Sequence, residues 1–373
     1  MEWKSISKLW KKVGKPVRTI KIMSSFLKTQ LLAVVLTCGF SGICQAQIEA
    51  LEVREGTGIP LEVRSIYEKG ADFIASTQLA DGSWKGASAT TSNGICGLCV
   101  MAFLSTGEDP NFGKYARNIR KALRHIISQQ NRESGYIPGN MYSHGFAMLA
   151  LAEAYGVVDD DLLWPGEESG EANRTIGEAL ELAVRLAITS QAKNTNHAWR
   201  YSPTQRDADT SVCGAVLMGL LAARNAGIEV PDESIDKALL YMKGMTSNTG
   251  EVGYSGMGGL GRSEARSSIA CLVFSIGKRT EWKEYEATRK YIMTNFSSRT
   301  NWPFYARYYQ AQALFQSDYE TWEKWNKETI QKVGDSQVES GEIKGGQHGP
   351  AYSTSMALLA LALNYRFLPI YER

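Results

Sequence analysis

The 373-residue chain lacks several features that would settle its class at once. The apolar run Leu31–Phe40 falls well short of the roughly 20 residues a spanning helix needs. Histidine is scarce, at four residues, and no Cys–His cluster has metal-ligand spacing, so the sequence offers no zinc site. A literal G-x-G-x-x-G at Gly256–Gly261 follows no strand of a βαβ unit, which removes the dinucleotide reading. The acidic stretch 159–171 has none of the alternation of a calcium loop and reads as a solvated insertion.

An excess of positive charge is also missing. The formal charge is +2, but residues 1–46 carry eight Lys/Arg and one Glu, and removing that +7 leaves about −5. A nucleic-acid partner is therefore excluded. The leading 46 residues combine a basic stretch (Lys11, Lys12, Lys15, Arg18, Lys21, Lys28), the apolar run and small residues ending at Ala46. That is the pattern of a secretory signal peptide, implying a secreted or periplasmic protein with no stable membrane span after cleavage. Residues 47–62 form a leader, and 63–373 form one domain. Four cysteines remain there, Cys96, Cys99, Cys213 and Cys271, all in apolar helical stretches where buried free thiols are expected.

What the domain does have is a repeat. The phrase Lys69–Trp84, KGADFIASTQLADGSW, runs from an apolar helix face through Gln78 and a turn with Gly82 to Trp84, and a second apolar helix follows over Ser92–Ser105. Weaker versions recur at Gln130–Tyr136, Gln191–Trp199, Gly253-Tyr254, Trp302 and Gln337–Gly341, at the spacing of a helical-hairpin array. Glycines 107, 156, 227 and 277 close the second helices. First helices are charged (Arg117, Arg120, Lys121, Arg124), whereas second helices are nearly all small or apolar (Gly97–Phe103, Val212–Ala223, Met356–Leu363). The second set must be buried and the first must face water. The last inner helix is as apolar as any other, with no polar cap of the kind that ends an open solenoid. The expected fold is all-α, six hairpins closed into an (α/α)6 toroid.

Lys69-Gly70, Phe73, Gln78, Gly82 and Trp84 resemble the Gln–Trp motif of the prenyltransferase/squalene oxidase repeat of squalene–hopene cyclases and protein prenyltransferase β subunits. The resemblance covers about residues 63–366 and implies a ligand cavity at the N-terminal ends of the inner helices. There, Arg206–Ser211 is similar to the Asp-x-Asp-Asp acid motif of class II terpene cyclases, with Asp207 and Asp209 at the first two acidic positions and Thr210 at the third. The resemblance implies a proton donor at Asp209, with Asp207 and His144 as partners, and an isomerase or transferase that binds an apolar or mixed ligand. The same residues also make a good helix N-cap. Protein prenyltransferases need a zinc-binding Asp, Cys and His; Ser353 stands where that His would be, so neither metal nor cofactor is expected.

Candidate ligand contacts around the mouth are Trp199, Tyr254, Arg266, Tyr305, Tyr309, His348 and Tyr352. Two further readings stay open. One is a non-catalytic toroid that binds a ligand or a protein in the manner of complement-like domains, although their thioester segment is absent. The other is a polysaccharide lyase or hydrolase, because the turn aromatics, which include Tyr142, Tyr201 and Trp302, could stack on sugars beside the two carboxylates.

Overall fold

The chain divides into two units, 1–56 and 57–373, and the helical ring lies in the second. The computed structural model describes residues 58–85, 92–164, 173–255, 263–296 and 300–371. The expected signal peptide, most of the leader and the Gly256–Gly261 segment lie outside the described residues.

Twelve long helices are described, in six pairs: α1 (Leu61–Ser76) with α2 (Ser92–Leu104), α3 (Ala116–Gln129) with α4 (Met141–Ala154), and α5 (Ile176–Lys193) with α6 (Thr210–Asn225). Then come α7 (Asp232–Gly244) with α8 (Glu264–Ile276), α9 (Lys283–Asn295) with α10 (Pro303–Ser317), and α11 (Tyr319–Ser336) with α12 (Pro350–Leu361). The first helix of each pair is amphipathic. In α3 the buried set Ile119, Ala122, Leu123, Ile126 and Ile127 makes one stripe, with arginines and lysine on the rest. The even-numbered helices have no solvent side, and α4 is buried from Met141 to Ala154 save for Tyr142. Side chains at the N-caps fix where helices start: Asn140, Asp209 and Ser263 for α4, α6 and α8, and a Thr175–Glu178 capping box for α5.

Each inner helix packs on the next, and α12 returns to α2, so the inner ring is closed. This is the expected all-α (α/α)6 toroid. The repeat phrase makes its joints. Gln78 Nε2 donates to Gly82 O in its own turn and to Asn118 O on the next outer helix, both at 3.0 Å. Gln130 bridges Gly135 O and Ala179 O in the same way, and Gln191 bridges His197 O and Ser234 O. Gln337 completes the circle, donating to Gly341 O and, across 271 positions of sequence, to Ile66 O at 2.9 Å. The turn glycine is required at the seam: Gly341 has φ +88°, and a Cβ there would sit 2.1 Å from Lys69 O. Trp84 donates its indole N–H to Ile74 O at 2.8 Å, locking the turn to the helix before it.

Two expectations shift in detail. Gly107, Gly156 and Gly227 take positive φ at helix ends, but after α8 it is Lys278, at φ 56°, and not Gly277 that turns the chain. Residues 165–171 of the acidic stretch lie outside the described residues, and in its described part a helical turn, Asp160–Leu163, buries Leu163, whose carbonyl accepts from Arg124. The four cysteines are buried and free, and burial pushes the Cys96 and Cys271 thiols up to about 12, which leaves them unreactive at neutral pH. Among the described residues no helix is long and apolar enough to cross a membrane.

Candidate functional site

Because every inner helix enters the ring from the same end, six helix N-termini surround one mouth. A cavity of about 510 Å³ opens there. Its walls come from the first turns of the inner helices and the turns before them: Ile95 and Leu98 on α2, Tyr142, Ser143 and Phe146 on α4, Ser211 on α6, Arg266 on α8, Tyr305 on α10 and Tyr352 on α12. Tyr201, Tyr254, Trp302 and His348 complete the rim from the turns.

The aromatic wall is ordered by its own polar tips. The Tyr142 and Tyr305 hydroxyls are hydrogen-bonded to each other, and those of Tyr201 and Tyr254 meet at 2.5 Å. Trp302, 45% exposed, stacks on His348 with ring centroids 5.6 Å apart and planes 11° from parallel. Burial lowers the His348 pKa, favouring the neutral ring, and its buried Nδ1 has no hydrogen-bond partner among the described residues. Flat rings at the entrance with hydroxyl and imidazole edges suit a ligand that is apolar on its faces and hydroxylated on its rim.

Asp209 lies behind this wall, next to Ser211. Its residue is fully buried, and Oδ1 accepts the Val212 N–H at 2.8 Å as the N-cap of α6. Oδ2 is buried without a hydrogen-bond partner among the described residues. Burial raises its pKa to about 6, against the opposing pull of the Val212 N–H and the Arg200 charge. Asp209 is thus both a cap and a carboxyl poised to carry a proton in mildly acidic solution. Asp207 differs from it although only one residue separates them. Its side chain is half exposed at the rim and paired with Arg200, which also reaches Ser255 Oγ at 3.3 Å. Asp207 is held by Arg200 at the rim while Asp209 caps α6 from behind the wall, so the two carboxyls do not form one unit.

The cavity gathers Tyr254, Arg266, Tyr305, His348 and Tyr352 of the residues expected from sequence. Beside Asp207 and Asp209, three others do not line it. His144 is fully buried, with Nδ1 accepting from Ile137 N–H at 3.2 Å and Nε2 against Ala183 O at 3.1 Å. Both ring nitrogens are committed to backbone, so the expected proton partnership with Asp209 is corrected to a structural staple. Trp199 donates to Ala187 O at 2.9 Å inside the joint, repeating the role of Trp84, and is not a ligand contact. Tyr309 is buried behind Tyr305, with ring centroids 4.9 Å apart. Sequence reasoning missed Leu98, Phe146, Ser143 and Ser211. The signal was present, because Ile95–Leu98 and Tyr142–Phe146 follow the i,i+3 and i,i+4 spacing of a helix face that begins at the mouth.

No family model and no curated protein matches the sequence. Solved structures do. An inactive variant of the α-1,6-mannanase GH76A of Salegentibacter sp. HEL1_6, with two consecutive aspartates changed to asparagine and α-1,6-mannotriose bound, superposes with a TM-score of 0.60 at 10% identity, covering 80% of this chain and 99% of that one. The glycoside hydrolase family 76 mannosidase Bt3792 of Bacteroides thetaiotaomicron VPI-5482 gives 0.57 at 8% identity, with 81% and 98% covered. Dfg5 of Chaetomium thermophilum in complex with glucosamine gives 0.55 at 11%, with 82% and 90% covered. At such identities the likeness is one of fold, the (α/α)6 toroid.

These neighbours carry glycoside hydrolase and saccharide-complex names, and they correct the resemblance drawn from the Gln–Trp phrase. The chain is not placed with the terpene cyclases and prenyltransferase subunits, and the isomerase or transferase activity expected at Asp209 falls with that placement. The physical reason lies in the joints. Gln78, Gly82 and Trp84 are spent on backbone hydrogen bonds and a close approach between hairpins, which any closed ring of such hairpins needs whatever it binds.

Proposed function

We propose that the toroid takes a saccharide into the mouth cavity and hydrolyses it as a glycoside hydrolase, with Asp209 as the proton-carrying acid. The observation that carries this reading is the pairing of an aromatic-walled cavity of about 510 Å³ with a buried carboxyl whose pKa is raised to about 6. Trp302 and Tyr305 supply faces for sugar rings, and Ser143, Ser211 and the tyrosine hydroxyls supply partners for sugar hydroxyls. A carboxylic acid that stays protonated near pH 6 can protonate a glycosidic oxygen. The α-1,6-mannotriose bound to the Salegentibacter enzyme makes α-1,6-linked mannan the first substrate to try. The basic stretch and apolar run of residues 1–46 support a signal peptide and action outside the cytoplasm, where polysaccharides are met.

The test is release of reducing ends from α-1,6-mannan and a panel of neutral and acidic polysaccharides. Hydrolysis should fall by about 100-fold or more in Asp209→Asn, and should decline as pH rises above about 6, because the acid is then ionised. No product from any member of the panel, or full activity in Asp209→Asn, defeats the hydrolytic reading.

One observation favours binding without turnover as the second reading: no carboxylate side chain lines the cavity among the described residues. On that reading oligosaccharides bind to the wild-type protein and are recovered uncleaved.

A further inference from the structure

The mouth cavity is graded along the helix axes. Among the described residues that line it, each polar side chain contributed by an inner helix stands at the second or third position of that helix: Tyr142 and Ser143 on α4, Ser211 on α6, Arg266 on α8, Tyr305 on α10 and Tyr352 on α12. The lining residues at later positions are Ile95 and Leu98, fourth and seventh on α2, and Phe146, sixth on α4. All three are apolar. With a rise of about 1.5 Å per residue, the step from the third position to the seventh is about 6 Å deep.

The deep end is closed as well as apolar. Gly97 brings α2 against α4, where a Cβ would stand 2.6 Å from Phe146 O. Phe146 is held by Tyr142, stacked with ring centroids 5.7 Å apart, and by Tyr308, edge-on at 6.0 Å. About one turn further along the two helices, Met101 and Ala150 are fully buried and no longer line the cavity, so the hollow ends above them. Below the first turn the helix backbone offers a ligand nothing, because its N–H and C=O groups are bonded within the helix. A hydroxyl pushed to this floor would lose its water and gain no partner, whereas a methyl would gain contact with three apolar side chains.

We infer that the saccharide taken by this cavity carries a short apolar group on the end that enters first, such as the methyl of a 6-deoxyhexose or the alkyl group of a glycoside. That group sits against Ile95, Leu98 and Phe146, while the sugar hydroxyls meet the polar side chains of the first turns. This rests on the saccharide reading above and deepens it by naming the substrate class. A floor about 6 Å deep admits a methyl or ethyl group and stops a long acyl chain.

The experiment is calorimetric titration of the full chain with three matched α-1,6-linked manno-trisaccharides. One is unmodified, one has a 6-deoxy residue at its non-reducing end, and one is the ethyl glycoside, with the apolar group at the other end. The expected result is that one modified ligand binds about tenfold or more tightly than the unmodified sugar. Its binding should also show the more negative heat-capacity change, as burial of apolar surface requires. Which of the two gains identifies the end that enters first. Leu98→Ser, which puts a hydroxyl on the floor, should bring the affinity ratio close to one, and the comparison in the wild-type protein stands whether or not that variant folds. Equal or tighter binding of the unmodified sugar by the wild-type protein overturns the apolar preference and leaves the saccharide reading standing. Binding of none of the three overturns both.

Discussion

The two ends of the ring are built from the same helices and behave oppositely. At the N-terminal mouth, the polar first turns of the inner helices face a cavity, and the aromatic rings project into it. At the other end the chain folds back on itself: Leu368 and Ile370 are 2% and 1% exposed, and the turn Pro369–Tyr371 packs on α6. That closed end also has a hollow, about 640 Å³ beside Ile370, but its arginines are occupied, Arg224 with Asp232 at 3.2 Å and Arg279 with Asp236 at 2.5 Å. Each end holds a buried acid whose pKa burial raises. Asp209 at the mouth stands next to the cavity-lining Ser211, with one oxygen that has no hydrogen-bond partner among the described residues. Glu153 near the end of α4 is sealed under the C-terminal turn, held by the Ile370 backbone, and burial raises its pKa to about 8. A raised carboxyl pKa alone therefore does not mark a site in this fold; the raised pKa together with a neighbouring cavity does.

Substitutions at the two ends of the ring should differ in the size of their effects. The largest concerns Glu153. In the unfolded chain it ionises near 4.5, whereas in the fold it keeps its proton up to about 8. Its stabilising contribution is full below about pH 4.5 and is lost as pH rises toward 8, a change on the order of 4 kcal/mol. Glu153→Gln should remove that loss, so denaturant melts of the two proteins should converge at low pH and separate at pH 8 in favour of the variant. Parallel curves at both pH values would show that Glu153 is no buried acid.

Next comes Ile370→Ala, which should cost roughly 2–5 kcal/mol of unfolding free energy by leaving a void under the C-terminal turn. It should leave oligosaccharide affinity at the mouth as it was. Altered affinity would show that the two ends are coupled. A smaller effect is expected at the rim: Trp302→Ala removes a stacking face and should weaken oligosaccharide binding about tenfold, with little change in melting temperature. The acid limb of stability offers a further check. His144 has its pKa lowered to about 4 by burial, so its contribution is present above about 6.5 and is lost as pH falls toward 4. His144→Gln should flatten that limb.

The fold was legible because the physics that builds it is periodic. The charged stripe of α3 and the unbroken apolar faces of α4, α6 and α12 follow from helix spacing, and ring closure followed from the apolar last helix. The repeat phrase was legible as a joint and misleading as a family mark, since its glutamine and tryptophan N–H groups donate to backbone carbonyls of the joint. The site was half legible. Tyr305 and Tyr352 could be placed from their positions at inner-helix starts. Trp199 and Trp302 could not be told apart, because whether an indole N–H turns in to Ala187 O or the ring stays at the rim depends on which turn closes over it. His144 sits at an inner-helix start like Tyr142, yet two residues along the helix turn it away from the mouth and into the backbone of the preceding turn. Glu153 gave no signal at all, because its burial is produced by the C-terminal turn, more than 200 positions away in sequence.

The most direct measurement is the pH profile of oligosaccharide hydrolysis by the wild-type protein and Asp209→Asn, with binding followed in parallel. The account predicts turnover that declines above about pH 6 and is lost in Asp209→Asn, while the variant still binds the ligand in the mouth cavity. A profile flat through pH 6, or an Asp209→Asn protein that turns over as the wild type does, would contradict it.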